Sequence, residues 1–394
     1  MSDLSEIYEL LAKDQSKSLV RTIEERLDAL DVSQRQVSEA IGIQRRTLQR
    51  ILEGEAQKID LLTVLKISQF LDIDIKEVSQ LYVAGLSSTN IGELERARKA
   101  GFIMRHFDLD ILKRIDFISD VTDFEHIEKR IKDFFQLSSI DEYANEVAYS
   151  LFSKTRNKSC DKMTKFWIGS AYKQCAEISN PNPFDRQMLL QIIPRLRVLT
   201  RDEEHGLVQA VRALYQAGVT VVVQGYVSKI QIRGATFLVN SKPCIVISDY
   251  NKRLDTIWFT LMHELYHVMK DLDAIQKLGF HTTKEEGQRV IDFVNEDLAN
   301  SFASEFLVPS DKVKFIRAFL DVASLVDSYA SKWGIHSAIL YGMHLSKHGE
   351  DYLKFRKRIP APDALLRAFF AYPWNQESLT ETALNLKETI YLNH

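Results

Sequence analysis

Phe259-Thr260-Leu261-Met262-His263-Glu264-Leu265-Tyr266-His267-Val268-Met269 is the stretch on which the reading of this chain turns. Ile257, Leu261, Leu265, Val268 and Leu272 recur at helical spacing, which predicts a helix with one strong apolar face. Trp258, Phe259, Met262 and Met269 carry the apolar surface nearly all the way round, as expected of a buried central helix. His263 and His267 stand four residues apart, one turn above the other. Two imidazoles so placed suit one Zn²⁺ ion, and Glu264 beside them is positioned to take a proton from a water activated there. The plainer alternative is a pair of core histidines satisfied by hydrogen bonds. A buried helix leaves two histidines little else to do.

The 394 residues are too many for one ordinary core and predict two or three domains. A hydrophobic content of 45% with 27% charged residues is that of a soluble globular protein. The net charge of -3 excludes a generally basic nucleic-acid coat but leaves room for a local basic surface. Cys160, Cys175 and Cys244 are few, odd in number and not at metal-ligand spacing, which fits a reduced, cytoplasmic setting. Met1-Ser-Asp-Leu-Ser-Glu6 has no apolar signal core, and no run approaches the length of a membrane span.

Residues 17–82 read as short helices. Leu19, Ile23, Leu27 and Leu30 form a first amphipathic face; Ser33 is placed as the N-cap of a helix over Gln34–Ala40; Gly42 breaks the chain. The next helix runs from Gln44 to Leu52, ending at Gly54, and the apolar pattern Leu61, Leu62, Val64, Leu65, Ile67, Leu71 follows. Two helices of about two turns joined by a tight glycine turn form a helix-turn-helix. The segment Ser33-Gln34-Arg35-Gln36-Val37 through Gln44-Arg45-Arg46-Thr47-Leu48-Gln49-Arg50 resembles the phage-repressor type (XRE/Cro-like) of that motif. The resemblance implies a phosphate contact from Gln34 and a DNA-facing surface of Gln44, Arg45, Arg46, Thr47 and Arg50. Between residues 17 and 53 there are seven basic residues against six acidic ones, so a homodimer is expected to be needed for operator affinity. A helical adaptor with merely solvated arginines is the competing reading.

Ser87-Ser88-Thr89-Asn90 reads as a polar linker, and residues 87–200 as a helical connector without recognisable chemistry. Asn180-Pro181-Asn182-Pro183 is a firm stop within it. A helix through Leu207, Val211 and Leu214 is then followed by strand signals at 219–223, 229–232, 236–239 and 244–247, with turns at Arg233-Gly234 and Asn240-Ser241. The fold class expected is mainly α with a small antiparallel sheet (α+β). Domain limits fall at 1–86, 87–200, 201–348 and a helical tail at 349–394. An edge strand of that sheet would align an extended peptide over the metal.

A catalytic zinc site wants a third protein ligand and one open position. Candidates downstream are His281, Glu285, Glu286, Asp292, Glu296, Asp297 and Glu305. From Gln288 to Leu307 the pattern is helical, with Ile291, Val294, Leu298, Phe302 and Phe306 expected inside. Glu296 shares a face with Ala299 and Ala303, small residues that let this helix lie close to the first, so Glu296 is the ligand chosen. Asn300 is placed to support a ligand from behind, while Asp297 and Glu305 read as solvated.

The runs Phe259-Thr260-Leu261-x-His263-Glu264-Leu265-x-His267 and Glu296-x-x-Ala299-Asn300-x-Phe302-Ala303-x-Glu305-x-Leu307-x-Pro309 together resemble the ImmA/IrrE metallopeptidases, over about residues 205–345. The resemblance implies zinc at His263, His267 and Glu296, with Glu264 as general base. It also implies a protein substrate that is a helix-turn-helix repressor or a co-encoded regulator, cut in a stress, phage or mobile-element response. Fusion to an XRE-type domain is an architecture of that family. Tyr266 departs from the small residue usual there, and with His336, Tyr341 and His344 is a candidate for steadying an oxyanion. The competing readings are a repressor or antitoxin with a latent peptidase half, and a structural zinc protein.

Overall fold

The computed structural model describes residues 18–53, 58–144, 161–227, 229–284, 295–369 and 374–392. The chain divides into two compact units, Met1–Gly101 and Phe102–His394. No helix among the described residues is long and apolar enough to cross a membrane.

The first unit holds α1 (Leu19–Leu30), α2 (Gln34–Ile41), α3 (Arg45–Leu52), α4 (Leu61–Leu71) and α5 (Ile75–Ala84). Ser33 caps α2 as its sequence predicts: its hydroxyl accepts from the Gln36 amide, and the Gln36 side chain accepts from the Ser33 amide in return. Gly42 ends α2 at φ +60°, a left-handed conformation that glycine adopts without a Cβ penalty. That turn sets α3 across α2, and Ile23, Val37, Leu48, Ile51, Ile67 and Val78 close a small core beneath them. Ser87–Asn90 is not an extended linker. Ser, Thr and Asn are also helix-starting residues, and Ser88 opens α6 (Ser88–His106), leaving only residues 85–87 between α5 and α6.

In the second unit α7 (Leu109–Arg114), α8 (Phe124–Phe135), α9 (Lys162–Ile178), α10 (Arg186–Leu199) and α11 (Gly206–Gln216) precede the sheet. They are not a separate connector. Phe107, Phe134, Phe166, Trp167 and Leu189 belong to one buried cluster with the sheet and with the C-terminal tail. The tail is tied in by Arg130, whose guanidinium donates to the carbonyls of Trp374, Gln376 and Glu377, and by its helix Leu379–Leu386, which packs on α9 and α8.

The sheet comprises β1 (Thr220–Gln224), β2 (Ile232–Val239), β3 (Lys242–Ser248) and β4 (Phe280–Lys284), in the order β1-β3-β2-β4. It is mixed: β1 and β3 run parallel, whereas β2 pairs antiparallel with both β3 and β4. The expected turn at Arg233-Gly234 is instead the start of β2, where a register shift between Ile232 and Gly234 bends the strand. Residues 229–232 therefore do not make a strand of their own. β4 follows the histidine helix and was not expected.

The helix of the opening stretch is α12 (Leu254–Lys270), followed by α13 (Leu272–Leu278), α14 (Glu296–Leu307), α15 (Ser310–Ile316), α16 (Ala323–Trp333), α17 (Ser337–Leu345) and α18 (Leu379–Leu386). α12 packs on β2 and β3 and against α14 and α17, which bury most of the predicted all-round apolar surface; Phe259 and Met269 are half-buried. At Gly342 of α17 an added Cβ would stand 2.0 Å from Asp255 Oδ2, so glycine is required for that approach. α14 meets α12 through the fully buried Ala299 and Ala303. Leu298 is 52% exposed, and Phe302 and Phe306 are only half-buried, so the inward face lies one residue away from the apolar pattern. Ile291 and Val294 lie outside the described residues.

Candidate metal centre

α12 presents His263 and His267 toward the N-terminal turn of α14, where Glu296 begins the helix. The Nε2 atoms of the two imidazoles are 3.0 Å apart. Glu296 Oε2 lies 3.3 Å from His263 Nε2, and Oε1 lies 3.4 Å from His267 Nε2. With ligand atoms all within 4.8 Å of one another, these three side chains are able to hold one metal ion. The fit is chemical as well as geometric. Donors about 2.0–2.1 Å from a tetrahedral ion stand roughly 3.3 Å from one another, and two imidazoles with a carboxylate are a donor set that zinc accepts.

The far side of each ring is held. His263 Nδ1 is 3.0 Å from Asn300 Oδ1, and His267 Nδ1 is 2.8 Å from Asp271 Oδ2. Donation from both Nδ1 atoms leaves both Nε2 lone pairs facing the centre. Asn300 thus stands behind His263. Asp271 was missed, although it stands four residues beyond His267, at the C-cap of the same helix.

Three lone-pair-bearing groups converging on one point attract positive charge. Burial lowers the His267 pKa, but the hydrogen bonds to Asp271 and Glu296 and the nearby charges of Glu264 and Glu296 outweigh it and raise the value to about 9. Burial pushes Glu296 upward, yet hydrogen bonds from His263, His267 and His281 hold it well below the usual carboxylate range.

Glu264 points from α12 toward the sheet and is fully buried. Thr236 of β2 donates to its Oε2 at 2.7 Å, and Thr283 of β4 donates to its Oε1 at 2.7 Å. Gly234 lies under the same carboxylate: an added Cβ would be 2.6 Å from Oε1 and 2.7 Å from Thr260 Cγ2. The register pairs Gly234 with Thr283 and Thr236 with His281, so four neighbouring positions of β2 and β4 face the centre. The opposite face of β2 meets α9, where the Phe237 and Tyr172 rings are 6.1 Å apart.

Other candidates stand elsewhere. His336 caps α17 by accepting from the Ala338 amide and pairs with Glu203 at 2.9 Å, so it is not an oxyanion partner. Tyr341 donates to the Leu320 carbonyl, and His344 pairs with Asp351. Tyr266 packs on α14, its ring 5.9 Å from that of Phe302. Asp297 is exposed, and Glu305 accepts from the Ser310 amide. Glu285, Glu286 and Asp292 lie outside the described residues.

In the first unit Gln34 stands on the first turn of α2 and Gln44 caps α3. Gln34, Gln44, Arg45, Arg46 and Arg50 are exposed, whereas Thr47 is half-buried above the core residue Leu48.

Two family models match the chain. One, helix-turn-helix, covers residues 23–78; the other, the IrrE N-terminal-like domain, covers residues 217–334. No curated protein and no solved structure matches it. The chain thus joins a DNA-binding helix-turn-helix domain to a domain of a metallopeptidase family, and the second match spans His263, Glu264, His267 and Glu296.

Proposed function

We propose that the protein is a cytoplasmic regulator that binds an operator as a homodimer and carries a zinc-dependent endopeptidase acting on a partner repressor or co-encoded regulator. The observation that carries the reading is the convergence of His263, His267 and Glu296 at tetrahedral spacing, with Glu264 on the next residue of the same helix. Zinc held by these three groups would supply the Lewis acidity that activates a water and polarises a scissile carbonyl. Glu264 takes the proton of the attacking water and passes it to the leaving amine. Each Glu264 oxygen accepts one threonine hydroxyl and keeps a second lone pair, so the carboxylate can take a proton with both threonines in place. β4, the outer strand of the described sheet, lies beside the centre, where an extended substrate backbone could pair with it.

Cleavage within the chain's own segment 83–95 has less support: α5 and α6 leave only residues 85–87 outside helix there, and a peptidase needs extended backbone. A partner protein is the better substrate.

The test is incubation of the zinc-loaded full-length protein, and of its Glu264→Gln variant, with the product of the neighbouring gene, followed by mass spectrometry. New termini with the wild type and none with the variant, zinc content being equal, support the reading. A second reading, a latent domain that binds partners without cutting, is favoured by the complete burial of Glu264. It predicts an intact partner and operator release on partner binding with either form.

A further inference from the structure

His281 is a buried polar side chain at the centre to which the proposed chemistry gives no task. It sits on β4, is 5% exposed, and its Nε2 is 2.6 Å from Glu296 Oε1. Its ring centroid is 4.5 Å from that of His267, so it stands within the same buried group. The distance says how it acts. Two donors on one zinc ion stand roughly 3.3 Å apart, whereas a charge-assisted N–H to carboxylate bond is about 2.7–2.9 Å. At 2.6 Å His281 holds the carboxylate and does not share an ion with it.

We propose that His281 is a positioning residue that fixes Glu296 as a one-oxygen ligand, and thereby keeps the fourth coordination corner free. The inference rests on the metal reading given above. Glu296 needs such a restraint more than the histidines do. His263 and His267 are fully buried on their helix and are braced by Asn300 and Asp271. Glu296 starts its helix, and its side chain is 36% exposed. A carboxylate free to rotate presents both oxygens to an ion and fills the position a substrate carbonyl must take. An imidazole N–H donating to one oxygen opposes that rotation. His281 is itself set by the pairing of β4 with β2, where it stands opposite Thr236.

The same strand supplies an internal control. Thr283, two residues on, faces the same way and is 7% exposed, but it donates to Glu264 and not to a ligand. The experiment uses the full-length chain and its His281→Ala, His281→Gln and Thr283→Val variants. Zinc affinity is measured by chelator competition, and the visible absorption of the Co²⁺-substituted forms reports coordination number. We expect His281→Ala to weaken zinc about 10–100-fold, the range for a group that orients a ligand. Its cobalt spectrum should shift toward the weaker bands of five-coordination. His281→Gln, which keeps an N–H donor, should recover most of the affinity, and Thr283→Val should bind as the wild type does. Wild-type affinity and spectrum in His281→Ala would overturn the proposal. So would an equal loss in Thr283→Val, which would assign the effect to strand packing, or three imidazoles at the ion by X-ray absorption, which would make His281 a ligand. A wild-type chain that binds no zinc would instead overturn the metal reading itself.

Discussion

The helix-turn-helix unit carries its chemistry on the outside, and the peptidase-like unit carries its own at the centre. Arg45, Arg46 and Arg50 project from an eight-residue helix whose inner face, Leu48, Ile51 and Leu52, does the packing. The DNA contact proposed for them needs only charge, reach and a rigid platform. His263, Glu264 and His267 are fully buried, and each is oriented by a side chain from beyond its own turn of helix: Asn300, Thr236 with Thr283, and Asp271. Substitutions should therefore act independently in the first unit and together in the second, because groups sharing a hydrogen-bond network couple energetically.

The largest effect expected is in the buried centre. Glu264→Gln should lower cleavage of the partner protein by at least about 100-fold, the contribution of a positioned general base. Operator affinity in a gel-shift titration should stay at the wild-type level. A variant that loses operator binding as well would erase the contrast between the units.

Gly234→Ala tests how tightly the second unit is built. The new methyl would lie 2.6 Å from a carboxylate oxygen that Thr283 already engages. The expected cost is about 1–3 kcal/mol, the usual range for overpacking, read by chemical denaturation. An unchanged midpoint would show that the strand can give way, and that the centre is less constrained than its contacts imply.

For the first unit, Arg45→Ala and Arg46→Ala should each weaken operator binding by about 1–3 kcal/mol if they reach base edges. A phosphate contact would instead reduce the salt slope by about one. Their double variant should be close to additive. Strong non-additivity would mean that the recognition helix is itself distorted.

The smallest effect is a proton. In the metal-free protein His267 titrates at about 9, above its ordinary 6.5. Its charged form stabilises the fold fully below about 6.5, and that contribution is lost as pH rises through about 9. Zinc competes with the same proton, so metal affinity should rise over this window and binding near neutral pH should release about one proton. Calorimetry in buffers of different ionisation enthalpy reads that number. Zero release would mean that His267 is neutral before the metal arrives.

The same contrast explains what the sequence disclosed. The helix-turn-helix was legible because its signals are local: the Ser33 cap, the Gly42 turn and the arginines of one helix. α12 was legible from its apolar spacing, and Glu296 from the small residues that follow it. β4 was not, because Phe-His-Thr-Thr-Lys faces a polar centre and lacks the alternation of apolar residues that marks a strand. His281 was weighed as a ligand and its hold on Glu296 could not be read, since that contact joins two elements. Arg233-Gly234 looked like a turn because glycine usually marks one; here it admits a carboxylate. The aromatic helices over 102–200 showed apolar faces, but periodicity does not say what a face packs against, and these share the core of the sheet.

Native mass spectrometry of the purified full-length chain, supplied with zinc and set beside its Glu296→Ala variant, bears most directly on the central claim. One zinc ion per wild-type chain and little or none in the variant is the result expected from two imidazoles and a carboxylate sharing an ion. A wild-type chain free of zinc, or a variant that keeps it equally well, would contradict the account.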